Sequence, residues 1–448
     1  MKRVLVANRG EIALRIIRAC RASGLRTVAV YSAADQGSPH AWAADEAVRI
    51  GPAAVAESYL NADIMLHVAN ARGCDAVHPG YGFLAENAEF AARCAEQGLT
   101  FIGPSADSIA LMGDKVAARA KVQSLGVPVV PGSEGTYVDA GEAAASSSEI
   151  GYPVLLKARA GGGGRGMRIA IDAEQFAGQF AEARREAEAA FGDGGIYLER
   201  FCPDVHHVEV QVFGDSHGNV RHLWERDCTV QRRHQKLVEE SPSPVLDAET
   251  REKMCTTAET VAVGIGYVSA GTVEFLYDAT DSSFYFIEMN TRIQVEHPVT
   301  EVLTGIDLVA EQLAVAAGER LSFADRAPPT RGHVIEFRIN AEDPERGFIP
   351  CPGRVQRWCP PAGQGLRFDS HVFADYEIPP YYDSLLGKLI IRGSDRADAI
   401  ERAVRALCAF EVEGIQTTIG FHLRLLRHPD FLAGRVHTRW VEEEFGRS

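Results

Sequence analysis

Glu274 and Glu288 lie in Thr272–Tyr277 and Phe284–Met289, two apolar runs that read as strands joined by the turn-forming stretch Asp278–Ser283. Paired positions in an antiparallel hairpin have a constant sum. A turn centred near position 281 therefore sets Glu274 opposite Glu288, to within one residue. Opposed side chains stand about 4.5–5.5 Å apart at Cβ, where two carboxylates repel. A divalent cation, Mg²⁺ or Mn²⁺, between them makes such a pair favourable. Beyond Glu288, the polar residues Asn290, Arg292, Gln294 and Glu296 alternate with Met289, Thr291, Ile293 and Val295. While the chain stays extended, all four project to one face. An amide, a guanidinium and a further carboxylate beside a metal pair can hold metal-bound ATP, grip a small oxyanion and remove its proton. The plainer alternative, an amphipathic strand with a solvated polar face, does not account for the opposed carboxylates.

Three other segments carry chemistry. Gly161-Gly-Gly-Gly-Arg-Gly166 falls between two strand-like runs, four residues after Lys157. Glycine lets backbone N–H groups approach an anion closely, so this reads as a phosphate-covering lid against the alternative of a plain linker. It is neither a Walker A loop, since GxxxxGK[ST] is absent, nor a dinucleotide fingerprint, since a strand follows it. Glu225–Lys236 packs Arg226, Arg232, Arg233, His234 and Lys236 into a loop-like stretch. A solvated charge run explains that stretch alone; next to a lid and a metal pair, phosphate or bicarbonate binding explains it better. Arg338 shares a strand face with Glu336 and Asn340, and an ion pair and a functional role are equally open for it. Gly214-Asp-Ser-His-Gly218 matches the GxSxG nucleophile pattern, but strands on both sides make it a hairpin turn. Cys228 reads as packing.

The elements that position these groups fall into three regions. Residues 1–113 alternate strands (Val4–Ala7, Thr27–Tyr31, Ala76–His78, Thr100–Ile102) with helical patterns, the signature of a parallel α/β sheet. Residues 114–202 contain the strands Pro153–Ala158 and Met167–Ile171, the glycine loop and a helix over Glu174–Ala190. Residues 203–448 are richer in strands, at Val208–Phe213, Val220–Trp224, Gly271–Tyr277, Phe284–Met289 and His333–Ala341. They end in helices at Arg396–Leu407 and Thr418–Leu426. There is no internal repeat.

The 448 residues exceed one compact core, and a formal charge of -15 argues against nucleic acid as the main partner. Nine scattered cysteines without a CxxC pair indicate free thiols in a reducing compartment. No apolar run spans a membrane and no signal peptide is evident, so the expectation is a cytoplasmic protein.

Asn8–Ala13, His78–Leu84, Met112–Lys115, the glycine lid, Glu225–Lys236 and Glu288–His297 together resemble the biotin carboxylase family, a branch of the ATP-grasp ligases. The resemblance runs from the first strand to Pro379–Ser384 and beyond. It implies an α/β and α+β multidomain ATP-grasp fold with an N-terminal Rossmann-like domain, a mobile lid and a C-terminal biotin carboxylase domain. By resemblance, Lys115, Lys157, Gly163 and Gly164 contact ATP phosphates. Glu199, Arg200, Phe201 and Cys202 form the adenine hinge, and His207, Gln231 and His234 line the nucleotide. Glu274, Glu288 and Asn290 match the metal ligands; Lys236, Arg292, Gln294 and Val295 match the bicarbonate site. Glu296 is then the general base and Arg338 the residue that stabilises the biotin enolate.

The implied reaction runs from ATP and bicarbonate through carboxyphosphate to carboxylated biotin. Arg159 and Ala160 stand where the family commonly has small residues, and His206 replaces a frequent arginine. Neither departure removes an assigned group. The family's biotin acceptor is a Met-Lys lysine, and the one Met-Lys here is Met1-Lys2. The expected partners are therefore a separate biotin carboxyl carrier protein and a carboxyltransferase subunit, with the chain itself a homodimer. The resemblance leaves the final acceptor, an acyl-CoA or a keto acid, open. Three rivals are another ATP-grasp carboxylate ligase, a nucleotide-binding regulatory protein without catalysis, and a nicotinamide-dependent dehydrogenase. The motifs at 225–236 and 292–296, the set Lys236, Arg292, Glu296 and Arg338, and the missing GxGxxG respectively argue against them.

Overall fold

The computed structural model describes residues 1–133, 135–159 and 167–445. The chain opens with β1 (Arg3–Val6), β2 (Arg26–Ser32), β3 (Glu46–Gly51), β4 (Ala76–His78) and β5 (Thr100–Phe101), ordered β3-β2-β1-β4-β5 and parallel throughout. Val4, Leu5 and Val6 are wholly buried because helices cover both faces of the sheet. β3 carries too few apolar residues, alternating on an edge, to stand out in the sequence. The loops after β1 and β4 deliver Asn8, Arg9 and Tyr81 to a large cleft, at the strand ends where ligands of parallel sheets bind.

A small antiparallel sheet, β7-β6-β8, follows, with β6 (Val154–Ala158), β7 (Met167–Ala170) and β8 (Ile196–Arg200). The helices Ala140–Ile150 and Ala173–Phe191 pack on it and enclose a separate core around Leu156, Phe176, Phe180 and Leu198. The expected loop Gly161–Gly166, including Gly163 and Gly164, lies outside the described residues, as does Ala160.

The third unit is an antiparallel sheet built from β9 (His206–Gly214), β10 (Val220–Arg232), β11 (Gln235–Ser241), β12 (Ser269–Asp278), β13 (Ser283–Asn290), β14 (His333–Asn340), β15 (Leu366–Ser370) and β16 (Leu385–Gly393). Their order is β13-β12-β9-β10-β11-β14-β16-β15. Two sequence expectations change here. Glu225–Lys236 is the β10–β11 hairpin, not a loop, because its residues alternate between ladder bonds and a buried polar face. The extended chain also stops at Asn290, so the spacing-of-two face does not continue to Glu296. Residues 291–296 turn into the helix His297–Thr304 instead. Gly214–Gly218 does join two antiparallel strands, which removes the nucleophile-elbow reading. Among the described residues, no helix is long and apolar enough to cross a membrane.

Candidate active site

A cleft of about 1160 Å³ runs between the three units. Its floor is the sheet, and the strand registers decide what faces it. Glu274 pairs directly with Glu288, and Thr272 with Asn290; the register slips by one immediately beyond Glu274. The slip is a β-bulge on the turn side of the carboxylate pair. Asn290 Nδ2 donates to Glu274 Oε1 at 2.7 Å and Gln294 Nε2 to the same oxygen at 3.1 Å. Burial and the Glu274 charge hold the Glu288 carboxyl above the usual range, while Lys115 Nζ lies 4.0 Å away. Two opposed hard-oxygen ligands, one of them disfavoured as a bare anion, fit a divalent cation.

Lys236 is the hub of the floor. Its ammonium donates to Glu296 Oε1 at 2.6 Å, to Glu274 Oε1 at 3.1 Å and to Glu209 Oε2. In the groupings His207–Glu209–Glu274 and Glu209–Cys228–Glu296, the three carboxylates all pair with this ammonium and so form a lysine socket. Arg338 bonds Glu296 Oε2 at 2.9 Å and Glu239 at 2.6 Å. Burial opposes ionisation of Glu296, but Lys236, Arg338 and Arg226 outweigh it and hold its carboxyl well below the usual range. Burial likewise opposes ionisation of Glu274, and Lys236 and His207 overcome it. His207 Nε2 lies 3.1 Å from Glu274, and Gln231 Nε2 lies 3.5 Å from His207 Nδ1.

Arg292 takes a different partner in this resting arrangement. Its Nε donates to Glu86 at 2.8 Å and its Nη2 to Asn290 at 3.0 Å. Val295 is held by its carbonyl, which accepts from Lys388 Nζ at 2.8 Å. Lys157 pairs with Glu199 across β6 and β8, and Arg119 lies 3.8 Å from the same carboxylate. Arg200, Phe201 and Cys202 line the cleft on that side, and His234 occupies the β10–β11 turn at φ 64. All the described site residues expected from the sequence therefore border one cleft.

Sequence reasoning passed over the groups that hold these side chains. Arg226 is wholly buried and bonds Glu209, Gln211, Thr300, Thr272 and Gln294. His207, Glu209 and Gln211 alternate along an otherwise apolar strand, a signal that could have exposed the face. Glu86, Glu11, Tyr81 and Lys388 have no such pattern, because they come from the first helix, the loop after β4 and β16.

A large cleft beside a small sheet, with opposed carboxylates and a lysine–arginine–glutamate cluster on its floor, defines an ATP-dependent ligase of the ATP-grasp class. Family models agree: residues 1–109 match the biotin carboxylase N-terminal domain, and 114–324 the carbamoyl-phosphate synthase L chain ATP binding domain. Residues 336–443 match the biotin carboxylase C-terminal domain. The biotin carboxylase of Nostoc sp. is 54% identical over 98% of this chain and 98% of its own. Biotin carboxylase 1 of Bacillus subtilis is 53% identical over 99% of this chain and 98% of its own. A crystal structure of the Campylobacter jejuni biotin carboxylase–β-γ-ATP complex superposes with a TM-score of 0.96 at 46% identity, covering 99% of each chain. The biotin carboxylase domain dimer of Hydrogenobacter thermophilus 2-oxoglutarate carboxylase, with MgADP, ADP and bicarbonate, gives 0.94 at 49% identity, covering 99% of this chain and 97% of that one. The chain belongs to the biotin carboxylase family, ATP-dependent carboxylases of the ATP-grasp type.

Proposed function

We propose that this chain activates bicarbonate with ATP and carboxylates N1 of biotin on a separate carrier protein. The observation that carries this reading is Glu296 held between Lys236 and Arg338, across the floor from Glu274 and Glu288. An anion admitted there meets two cations and a carboxylate base at once. Glu274, Glu288 and Asn290 would hold the divalent ion, which supplies charge neutralisation on the ATP phosphates. Lys115 and Lys157 bind those phosphates; Glu199–Cys202, His207, Gln231 and His234 border the nucleotide.

Glu296 paired with two cations is a weak base. Bicarbonate entering beside Lys236, Arg292, Gln294 and the Val295 backbone competes for the ammonium, and loss of that pair raises the basicity of Glu296. The carboxylate then takes the bicarbonate proton, and the bicarbonate oxygen attacks the γ-phosphorus, expelling ADP and forming carboxyphosphate. Carboxyphosphate divides into CO₂ and phosphate. The phosphate accepts the N1 proton of biotin, and the resulting enolate, its oxygen facing Arg338, adds to CO₂. Electrostatic stabilisation by fixed cations in a buried site supplies much of the rate gain.

The same reading divides the chain at about 113 and 202, into a Rossmann-like unit, a lid unit and the remaining core. It places a homodimer in the cytoplasm beside a biotin carboxyl carrier protein and a carboxyltransferase subunit. The carboxyltransferase sets the acceptor, an acyl-CoA such as acetyl-CoA or a keto acid. The test is ATP hydrolysis with Mg²⁺ while bicarbonate and free biotin are varied independently. Dependence on both is expected; ATP hydrolysis indifferent to biotin would overturn the assignment in favour of another ATP-grasp ligase.

A further inference from the structure

Behind Arg338 lies a pair of acids that none of the roles above uses. Glu239 on β11 and Glu336 on β14 are direct cross-strand partners, and both are wholly buried. Side chains in that relation stand about 5 Å apart at Cβ on one face of a sheet. Arg338, two residues beyond Glu336, projects to the same face, and its Nε donates to Glu239 Oε1 at 2.6 Å. The second Glu239 oxygen and both Glu336 oxygens are buried without a hydrogen-bond partner among the described residues.

Several other groups face this pair. Lys388, opposite Arg338 on β16, bonds Glu11 and the Val295 carbonyl. Lys236, on β11 itself, bonds Glu209, Glu274 and Glu296. Cys228 on β10 is a buried thiol, and Glu296 and His297 approach from the helix start. Arg338 is thus the cation hydrogen-bonded to Glu239, and it also serves Glu296 at 2.9 Å. Two ionised carboxylates in so dry a space, sharing half a guanidinium, would be costly, so one of them carries a proton. Burial, reinforced by the neighbouring acids, raises both: Glu336, against the pull of Lys388, well above the usual range and Glu239, against the pull of Arg338, to about 7.

We infer that Glu239 is the positioning residue for Arg338 and that Glu336 is its neutral, protonated neighbour. Ionised Glu239 grips the Nε edge of the guanidinium. When Glu296 takes a proton or turns to bicarbonate, Arg338 then stays in place with its remaining N–H groups towards biotin. The inference rests on the biotin carboxylase reading above.

The experiment compares wild type, Glu239→Gln and Glu336→Gln as full chains at saturating bicarbonate. It reads biotin carboxylation against pH, bicarbonate-dependent ATP cleavage without biotin, and nucleotide binding. Glu239→Gln should lose about 10- to 100-fold in kcat/KM for biotin, the loss of one charge-assisted hydrogen bond, with nucleotide binding retained. Glu336→Gln swaps a neutral acid for a neutral amide and should stay near wild type. The wild-type kcat/KM for biotin should fall as pH drops through about 7, where Glu239 protonates, and Glu239→Gln should flatten that limb. A limb unchanged in Glu239→Gln, or equal damage from Glu336→Gln, overturns the inference. If Glu239→Gln fails to fold, a flat wild-type profile or a damaged Glu336→Gln does so instead. A wild type without any biotin-dependent activity would fail the carboxylase reading itself and is visible separately.

Discussion

Glu296, Lys236 and Arg338 are each fixed by partners that balance their charge. Glu296 has one oxygen on Lys236 and the other on Arg338, so its orientation is set before substrate arrives. Such preorganisation costs basicity in the resting state and leaves the geometry ready for proton transfer. Glu296→Gln keeps the shape and removes the base. It should lower bicarbonate-dependent ATP cleavage by about 100-fold or more, with ATP binding unchanged, read from phosphate release and a nucleotide titration. Turnover at the wild-type rate would sink the base assignment.

Strand registers and turns do the placing at the next scale. The unbroken register from Thr272–Asn290 to Glu274–Glu288 puts the two carboxylates and Asn290 on one face of the β12–β13 hairpin, towards the cleft. At the end of β9, Gly214 lies against Val268 and the backbone of Tyr267, where a Cβ would meet the Tyr267 oxygen at 1.9 Å. Gly214→Ala should therefore destabilise the chain by about 1–3 kcal/mol, measured by urea unfolding. Ser216, exposed in the turn that follows, should tolerate alanine with carboxylation intact. A loss of activity there would revive the nucleophile reading.

Across the whole molecule, Lys388 ties the units together. It is wholly buried and bonds both Glu11, from the N-terminal unit, and the Val295 carbonyl in the site. Glu11 is also bonded by the Tyr81 hydroxyl. Lys388→Met would strand the Glu11 carboxylate and should cost about 3–5 kcal/mol, seen as a lower urea midpoint. Acid sensitivity is likewise a property of the whole chain. Burial pushes His78 and His371 down to about 3, and His40 and His422 down to about 4, from 6.5. Groups with a depressed folded value add stability above 6.5 and lose it as pH falls towards the folded value. The raised carboxyls Glu239, Glu288, Glu336 and Glu342 and the raised His207 act in the opposite sense, but they are outnumbered by the depressed histidines, which also include His222, His234 and His297. The urea midpoint should therefore drop between pH 7 and pH 5, and an unchanged midpoint would show that these histidines are already charged or exposed.

Local pattern was enough for much of this. Apolar alternation placed most of the strands it named to within a residue or two but left β8, β11, β15 and β16 unread, and the turn at Asp278–Ser283 placed Glu274 against Glu288 because a hairpin's register follows from its turn. The named motifs carried the family and the cleft residues. The tertiary structure alone decided that Glu225–Lys236 is a hairpin with buried strands and an exposed turn, and that the chain leaves its strand before Arg292. It also decided that Arg226 sits among residues 209, 211, 272, 294 and 300. Period and turn chemistry act over a few neighbours, so they can be read along the chain. Which distant charges meet in a dry interior depends on how sheets stack and loops close, and no spacing in the sequence records that.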